Sequence, residues 1–320
     1  MTKASLTAAL AGCASITTAN TTVTVCLAAR GVGEPMPTIH RLQLSSDLAR
    51  TFLSTAIATL RELRDGIDSG DNTLEMYDPG NVPDKHEIEF HTPPEGSTPE
   101  AVVRALATLQ QLSVFDGQMT TINKLAFHVI ALQRNGQSPV YLFRKYSKRK
   151  ELGRSKKLMA LFSGGSFDKL TDRVFVFDNE ADCISVDGYM VVLNKDNYHR
   201  IFRFFEEVMQ HAQQTLAQIR GALPIENARQ FEEDCQRNAL ILVRLRGIAD
   251  RNYFSSLTLA RLEKKIKDDH LPIQISGTGK NRRLVYDSQH KWKFLRLLDD
   301  GFLNSDLTGK KYEATSKRAL

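Results

Sequence analysis

The segment LAFHVIALQ (125–133), followed by Asn135 and Gly136 and then by PVYLFRKY (139–146), constrains the fold more than any other stretch. Two runs rich in β-branched and aromatic residues flank an Asn-Gly pair. That pair tolerates the positive φ angles of a hairpin turn, so the segment reads as a β-hairpin. Further strands are predicted at RVFVFD (173–178), CISVD (183–187) and GYMVVL (188–193), so an extended period persists from 124 to 193. Upstream, TTVTVCLAAR (21–30) and EIEFH (87–91) also read as strands.

Helical spacing brackets this region. In DLARTFLSTAIATLRELRD (47–65), Leu48, Phe52, Ile57, Leu60 and Leu63 form an apolar stripe behind Asp47 as cap. PPEGSTPE (93–100) is punctuation before a second helix. There Ser97 and Glu100 have capping-box spacing, Pro99 occupies the first turn, and Val103, Leu106, Leu109 and Leu112 make the buried stripe. After Asp196 as N-cap, Ile201, Phe205, Val208, Ala212, Thr215, Leu216 and Ile219 predict a helix ending near Gly221 and Pro224. Helices follow at about 226–249 and 257–268, then a hairpin IQIS-GTGKN-RRLVYD (273–287), a helix at 291–300 and a polar end. The expected fold is α/β in the α+β sense: a mostly antiparallel sheet packed by long helices, with a carboxyl-terminal basic hairpin and helix. The boundary is expected at 96/97, giving an amino-terminal α/β region (1–96) and a larger α/β domain (97–320).

With 42% apolar and 25% charged residues, 10 Pro and 19 Gly among 320, the composition is that of a globular chain. No window approaches the roughly 18 unbroken apolar residues of a bilayer span. Cys13, Cys26, Cys183 and Cys235 include no CxxC pair and no His at zinc spacing, so neither a disulfide framework nor a structural zinc site is expected. Leu10 to Cys13 reproduce a short lipoprotein-type cleavage pattern. Lys3 is the single preceding charge, however, and Ser5 and Thr7 interrupt the apolar run, so a mobile amino terminus is the expectation.

Charge is distributed unevenly. Residues 144–157 hold eight basic side chains and one acidic, and 260–320 hold 14 basic and 8 acidic, whereas the rest is mildly acidic. In the first block, Arg144, Lys145, Lys148, Arg149, Lys150, Arg154, Lys156 and Lys157 are interleaved with Tyr141, Phe143 and Tyr146. Such density repels itself unless neutralised. Phosphates neutralise it while releasing condensed counterions, which rewards basic side chains irrespective of base sequence. The ordinary alternative is a solvated loop. In the second block, Lys280, Arg282 and Arg283 lie at or beside the tip of the carboxyl-terminal hairpin, and Lys310 and Lys311 extend the positive surface. A helix followed by a basic hairpin has the outline of a DNA-binding wing.

Enzymatic motifs fail on inspection. GTGK is not a P-loop, because Gln274 stands where the first Gly belongs and Asn281 where the hydroxyl belongs. SGGSF is not a nucleophile elbow, because Asp168 replaces its last Gly. Asp178, Glu180 and Asp182 alternate like calcium-loop ligands, but Cys183 and Tyr189 occupy the Gly and bidentate carboxylate positions, which leaves a solvated acidic turn as the expectation. No catalytic residue, metal site or cofactor is nominated.

The blocks NKLAFHVIALQ (123–133), YLFRKYSKRKELGRSKKLMALFSGGSFDKL (141–170), VFVFDNEADCISVDGYMVVLNKDNYHRIFRFFEE (174–207) and KFLRLLDDGFLNSDLTGKKYEATSKR (293–318), in this order, resemble the KwaB family of the Kiwa anti-phage defence system. LEMYDPGNVPD (74–84) adds a weaker match. The resemblance implies a cytoplasmic bacterial protein, recruited to the inner membrane by a membrane-embedded KwaA-like partner, that binds DNA to obstruct phage replication and transcription. Its expected partners are DNA, that membrane protein and, in a homo-oligomer, further copies of the chain. Two alternatives stand beside it: a metal-dependent nuclease with scattered ligands, and a basic adaptor docking on a membrane protein or anionic lipid.

Overall fold

The computed structural model describes residues 2–31, 33–79, 83–146, 151–152, 160–163, 166–169, 174–204, 214, 216–238, 241–242, 244–245, 248, 257–305 and 307–313. These divide into two compact units, one of residues 1–77 with 85–204 and one of 78–84 with 205–320. Residues on either side of 96/97 contribute strands to the same sheet of the first unit.

In chain order the first unit comprises α1 (Lys3–Gly12), β1 (Thr22–Ala29), β2 (Thr38–Arg41), α2 (Ser46–Asp68), β3 (Thr73–Met76), β4 (Glu87–His91), α3 (Thr98–Leu106), α4 (Met119–Ile122), β5 (Leu125–Gln133) and β6 (Val140–Lys145). Short strands β7 (Glu151–Leu152), β8 (Ala160–Ser163), β9 (Ser166–Lys169) and β10 (Val174–Phe175) follow, then β11 (Cys183–Val186), β12 (Tyr189–Val192) and α5 (Lys195–Ile201). Eight strands form one sheet in the order β2-β1-β5-β6-β11-β12-β4-β3, antiparallel throughout except for the β3–β4 edge pair. Between β6 and β11 the chain makes a nested excursion, β7 pairing with β10 and β8 with β9.

Period-2 alternation sends successive residues to opposite faces. Val25, Ile130, Leu132, Leu142, Ile184 and Val191 pack with Leu6 and Leu10 of α1 and Phe52, Ala56 and Leu60 of α2. Their neighbours Cys26, Val129, Ala131, Phe143, Cys183 and Val192 pack on the other face with Val102 and Leu106 of α3 and Tyr198 and Ile201 of α5. Both faces being covered, β5, β6, β11 and β12 are buried along almost their whole length, which is why they read as unbroken apolar runs.

The turns differ in kind. At Asn135-Gly136 only Gly136 takes a positive φ, and the loop between Leu132 and its partner Val140 is longer than a two-residue turn. The two-residue turn with both φ angles positive is Asp187-Gly188, which joins β11 to β12 with Val186 opposite Tyr189.

Several local expectations are corrected. The amino terminus is not free: Leu6, Leu10, Cys13 and Ile16 fall on one stripe at spacings of three and four and are buried in the core. Ser45, not Asp47, caps α2, accepting from the Leu48 amide at 3.3 Å. Asn194, not Asp196, caps α5. Ser97 and Glu100 do not form the reciprocal box: the Ser97 hydroxyl donates to the Pro94 carbonyl at 2.6 Å, while Glu100 accepts from the Gly96 amide. Of the stripe expected after it, Leu106 and Leu109 are buried, and Val102 takes the place assigned to Val103.

The second unit contains β13 (Ile225–Glu226), α6 (Ala228–Arg237), α7 (Leu259–Asp268), β14 (Gln274–Ser276), β15 (Arg283–Val285), α8 (Lys291–Leu298), β16 (Phe302–Asn304) and β17 (Lys311–Glu313). The helix expected over 226–249 is interrupted at Asn238, whose backbone is extended. Asn238 then starts a new helical turn, accepting from the amides of Ile241 and Leu242. The basic hairpin forms as expected, with Ile275 opposite Leu284 and a 3₁₀ turn at Gly279–Asn281. A second hairpin, β16–β17, occupies what reads in sequence as a polar end.

Leu6→Ala removes a side chain buried completely beneath the sheet and should cost about 2–5 kcal/mol, read as a lower urea midpoint. An unchanged midpoint would mean that α1 does not pack as described.

Candidate nucleic-acid interface

Strand register gathers the candidate residues of the first unit at one end of the sheet. Lys145, at the end of β6, lies opposite Phe127, and Cys183, at the start of β11, lies opposite Phe143. Val192, at the end of β12, lies opposite Glu89, and α5 begins three residues later. Arg144, Lys145, Asp182, Glu89 and the first turns of α5 therefore share that end.

Asp182 is its hub. Its carboxylate is fully buried and accepts from Arg144 Nη1 at 2.7 Å, from the Lys145 amide at 2.7 Å and from Asn197 Nδ2 at 2.9 Å. Its backbone donates to the Phe143 carbonyl and accepts from the amides of Leu193 and Asn194. Arg144 completes its fork on Asp178 at 3.0 Å and Glu180 at 2.8 Å. Two sequence expectations change here. The acidic turn is not merely solvated, because Asp182 carries no exposed surface. Arg144, nominated as a phosphate contact, instead has its charge compensated by three carboxylates.

The remaining cations at this end divide by what they already touch. Arg30 Nη1 donates to the Ile201 carbonyl at 2.9 Å, and Arg203 donates to the carbonyls of Gly31 and Glu34, each at 2.9 Å. Lys124 pairs with Glu34 at 3.3 Å. Lys145 Nζ and the Arg200 guanidinium make no ion pair or side-chain hydrogen bond among the described residues. They lie close enough for their charges to interact: burial first, and then the Arg200 charge, lower the Lys145 pKa, against a raising effect of Asp182. Lys145 ends β6 and Arg200 belongs to α5, and these two elements pack together. Arg200 was missed in the sequence because its neighbours there, His199 and Ile201, are core residues. Only the fold brings it to Lys145. Lys148, Arg149, Lys150, Arg154, Lys156 and Lys157 lie outside the described residues.

The second unit holds the other nominated cations. Lys280 and Arg283 are exposed on the β14–β15 hairpin and make no ion pair among the described residues, while Arg282 is paired with Glu263. Lys310 is exposed, and Lys311 pairs with Asp269 at 2.9 Å.

A second buried polar network at the α5 end of the first sheet had no sequence signal. Lys195 contacts Glu89 at 2.8 Å and lies over the Tyr77 ring at 5.1 Å. His91 pairs with the Tyr198 hydroxyl and His199 with the Tyr77 hydroxyl, each at 2.7 Å. Burial pushes the pKa of His91 down to about 4 and that of His199 down to about 3, the Lys195 charge adding to the latter. All four cysteines are buried and unpaired by disulfides, and burial raises each thiol pKa. Among the described residues no group of three or more His, Cys, Asp or Glu side chains is arranged to hold a metal ion.

A family model described as Kiwa protein KwaB-like matches residues 122–308, more than half of the chain. The chain belongs to the KwaB-like family. It is accordingly a component of the Kiwa anti-phage defence system, which has more than one member. The match spans the Asp182 hub, Arg144, Lys145, Arg200 and the β14–β15 hairpin, whereas β1 to β4 of the same KwaB-like sheet precede it. No curated protein and no solved structure matches the chain.

Asp182→Ala leaves Arg144, the Lys145 amide and Asn197 without a buried acceptor and should destabilise the first unit by about 3–5 kcal/mol, measurable by urea denaturation. The histidines give a pH signature. Their folded pKa values lie below the unfolded value of about 6.5, so the unfolded chain binds more protons between there and about pH 4 for His91. Their contribution is intact above pH 6.5 and is lost as pH falls through that window. The melting temperature of His91→Gln should fall less than that of the parent between pH 7 and 4. An identical fall would remove His91 from the acid sensitivity.

Proposed function

We propose that this KwaB-like chain is the DNA-binding component of its Kiwa system, holding DNA mainly through the phosphate backbone and so obstructing phage replication and transcription. The observation that carries the reading is that β6, ending at Lys145, packs against α5, which bears Arg200, at the point where the segment with eight basic residues in fourteen begins. Cations without committed carboxylates gain most from phosphate, since each contact also releases condensed counterions. Phosphate contacts carry no base information, so little sequence preference is expected. Lys280 and Arg283 on the exposed hairpin form a secondary contact in this reading.

No helix among the described residues is long and apolar enough to cross a membrane. In the proposed arrangement the chain works in the cytoplasm and reaches the inner membrane through a KwaA-like membrane protein. Fractionation of cells with and without that partner tests this half. Membrane retention in its absence, dependent on Cys13, would overturn it.

DNA binding is tested by salt titration with duplexes of unrelated sequence. Log affinity should fall steeply and alike for all of them as log salt rises. Reversing Lys148, Arg149 and Lys150 together should flatten the slope by up to about 2.7, at about 0.9 per phosphate contact, and Arg200→Gln by about 0.9. A flat titration of the parent protein, or affinity confined to one short sequence, would contradict the proposal.

A further inference from the structure

Two turns of the first sheet carry a residue pair ending in Gly, and they are held very differently. Asp187-Gly188 is clamped, because the strands it joins are paired up to Val186 and Tyr189 and both of its residues sit at positive φ. The loop from β5 to β6 is looser. A single backbone hydrogen bond of 3.3 Å, from the Gln137 amide to the Arg134 carbonyl, closes it, and Asn135, Gly136, Gln137 and Ser138 are all exposed. The Asn135 carboxamide makes no hydrogen bond among the described residues, and the Gly136 amide donates to no backbone carbonyl among them. Space around Gly136 is open, with no atom within 4 Å of the point where a Cβ would stand. No other Asn of the chain precedes Gly.

We propose that Asn135 is a site of spontaneous deamidation. The backbone nitrogen of Gly136, after giving its proton to hydroxide, attacks Cγ of Asn135 and closes a five-membered imide. The bond from Cγ to Nδ2 breaks, and Nδ2 takes up a proton and leaves as ammonia. Water then opens the imide at either of its two carbonyls, leaving aspartate or, where the chain now runs through Cγ, isoaspartate. One water enters and one ammonia leaves, and no other reactant is needed. Ring closure is intramolecular, so it needs only that the two groups rotate into contact. Gly136 allows that rotation because it has no Cβ to obstruct it, and a loop with one long hydrogen bond opens at little free-energy cost. Each event adds one negative charge at the Val140 end of β6, opposite the Lys145 end, so this site stands apart from the nucleic-acid reading.

The test is to age the full chain in mildly alkaline buffer, folded and in urea, and to map deamidation by peptide mass spectrometry with enzymatic detection of isoaspartate. In the folded chain Asn135 should deamidate ahead of every other Asn, at a rate within about tenfold of that in the unfolded chain. The rate should rise roughly tenfold per pH unit, as the fraction of ionised amide does. Gly136→Ala should slow the reaction severalfold in the unfolded chain, a comparison that does not depend on whether that variant folds. Asn135 left intact in the folded chain while it deamidates in urea would show that the fold protects it and overturn the proposal. So would deamidation spread evenly over the Asn residues of the folded chain, or a rate at Asn135 that does not change with pH.

Discussion

The buried carboxylate of Asp182 organises one end of the first unit's sheet. A charge with no solvent access is tolerated only when paired and hydrogen-bonded, and Asp182 meets that condition by drawing in β6 through Arg144 and the Lys145 amide, and α5 through Asn197. Its own backbone continues the β6–β11 ladder and receives the amides that lead from β12 into α5. One side chain thereby ties the end of β6, where the basic segment leaves the sheet, to the start of α5, the helix that bears Arg200.

This arrangement separates charge count from charge availability. Arg144 and Lys145 are adjacent in sequence, in one strand and in one basic block, yet one is paired with three carboxylates and the other's side chain makes no ion pair among the described residues. The same division recurs in the second unit, where Arg282 and Lys311 are committed to acidic partners while Lys280, Arg283 and Lys310 remain exposed. A polyanion responds to the uncommitted members, so the surface it meets is smaller and more localised than the composition suggests.

The legible parts of the fold were those written in local periodicity. Alternation and turn chemistry revealed β5, β6, β11, β12 and the β14–β15 hairpin, and the stripe in α2 was correctly helical although its cap lay two residues earlier, at Ser45. What stayed hidden depends on distant pairing or on weak local signals. The Arg144–Asp182 contact joins residues 38 apart, and α5, which bears Arg200, reaches β6 only because β12 delivers it to that end of the sheet. Asn238 ends one helix and begins the next inside a continuous helical pattern. The β16–β17 hairpin has three-residue strands and a polar composition, too short for alternation to stand out.

In the proposed DNA-binding role the charge network, rather than position in the basic block, decides which cations are open to phosphate. The most direct measurement pairs the urea midpoint with the salt slope of duplex binding for Arg144→Gln and Lys145→Gln. The account predicts opposite outcomes for the two neighbours. Arg144→Gln should lower the midpoint and leave the salt slope unchanged, and Lys145→Gln should leave the midpoint near that of the parent and flatten the slope by about 0.9. Equal loss of slope in both variants, with no loss of stability in Arg144→Gln, would contradict it.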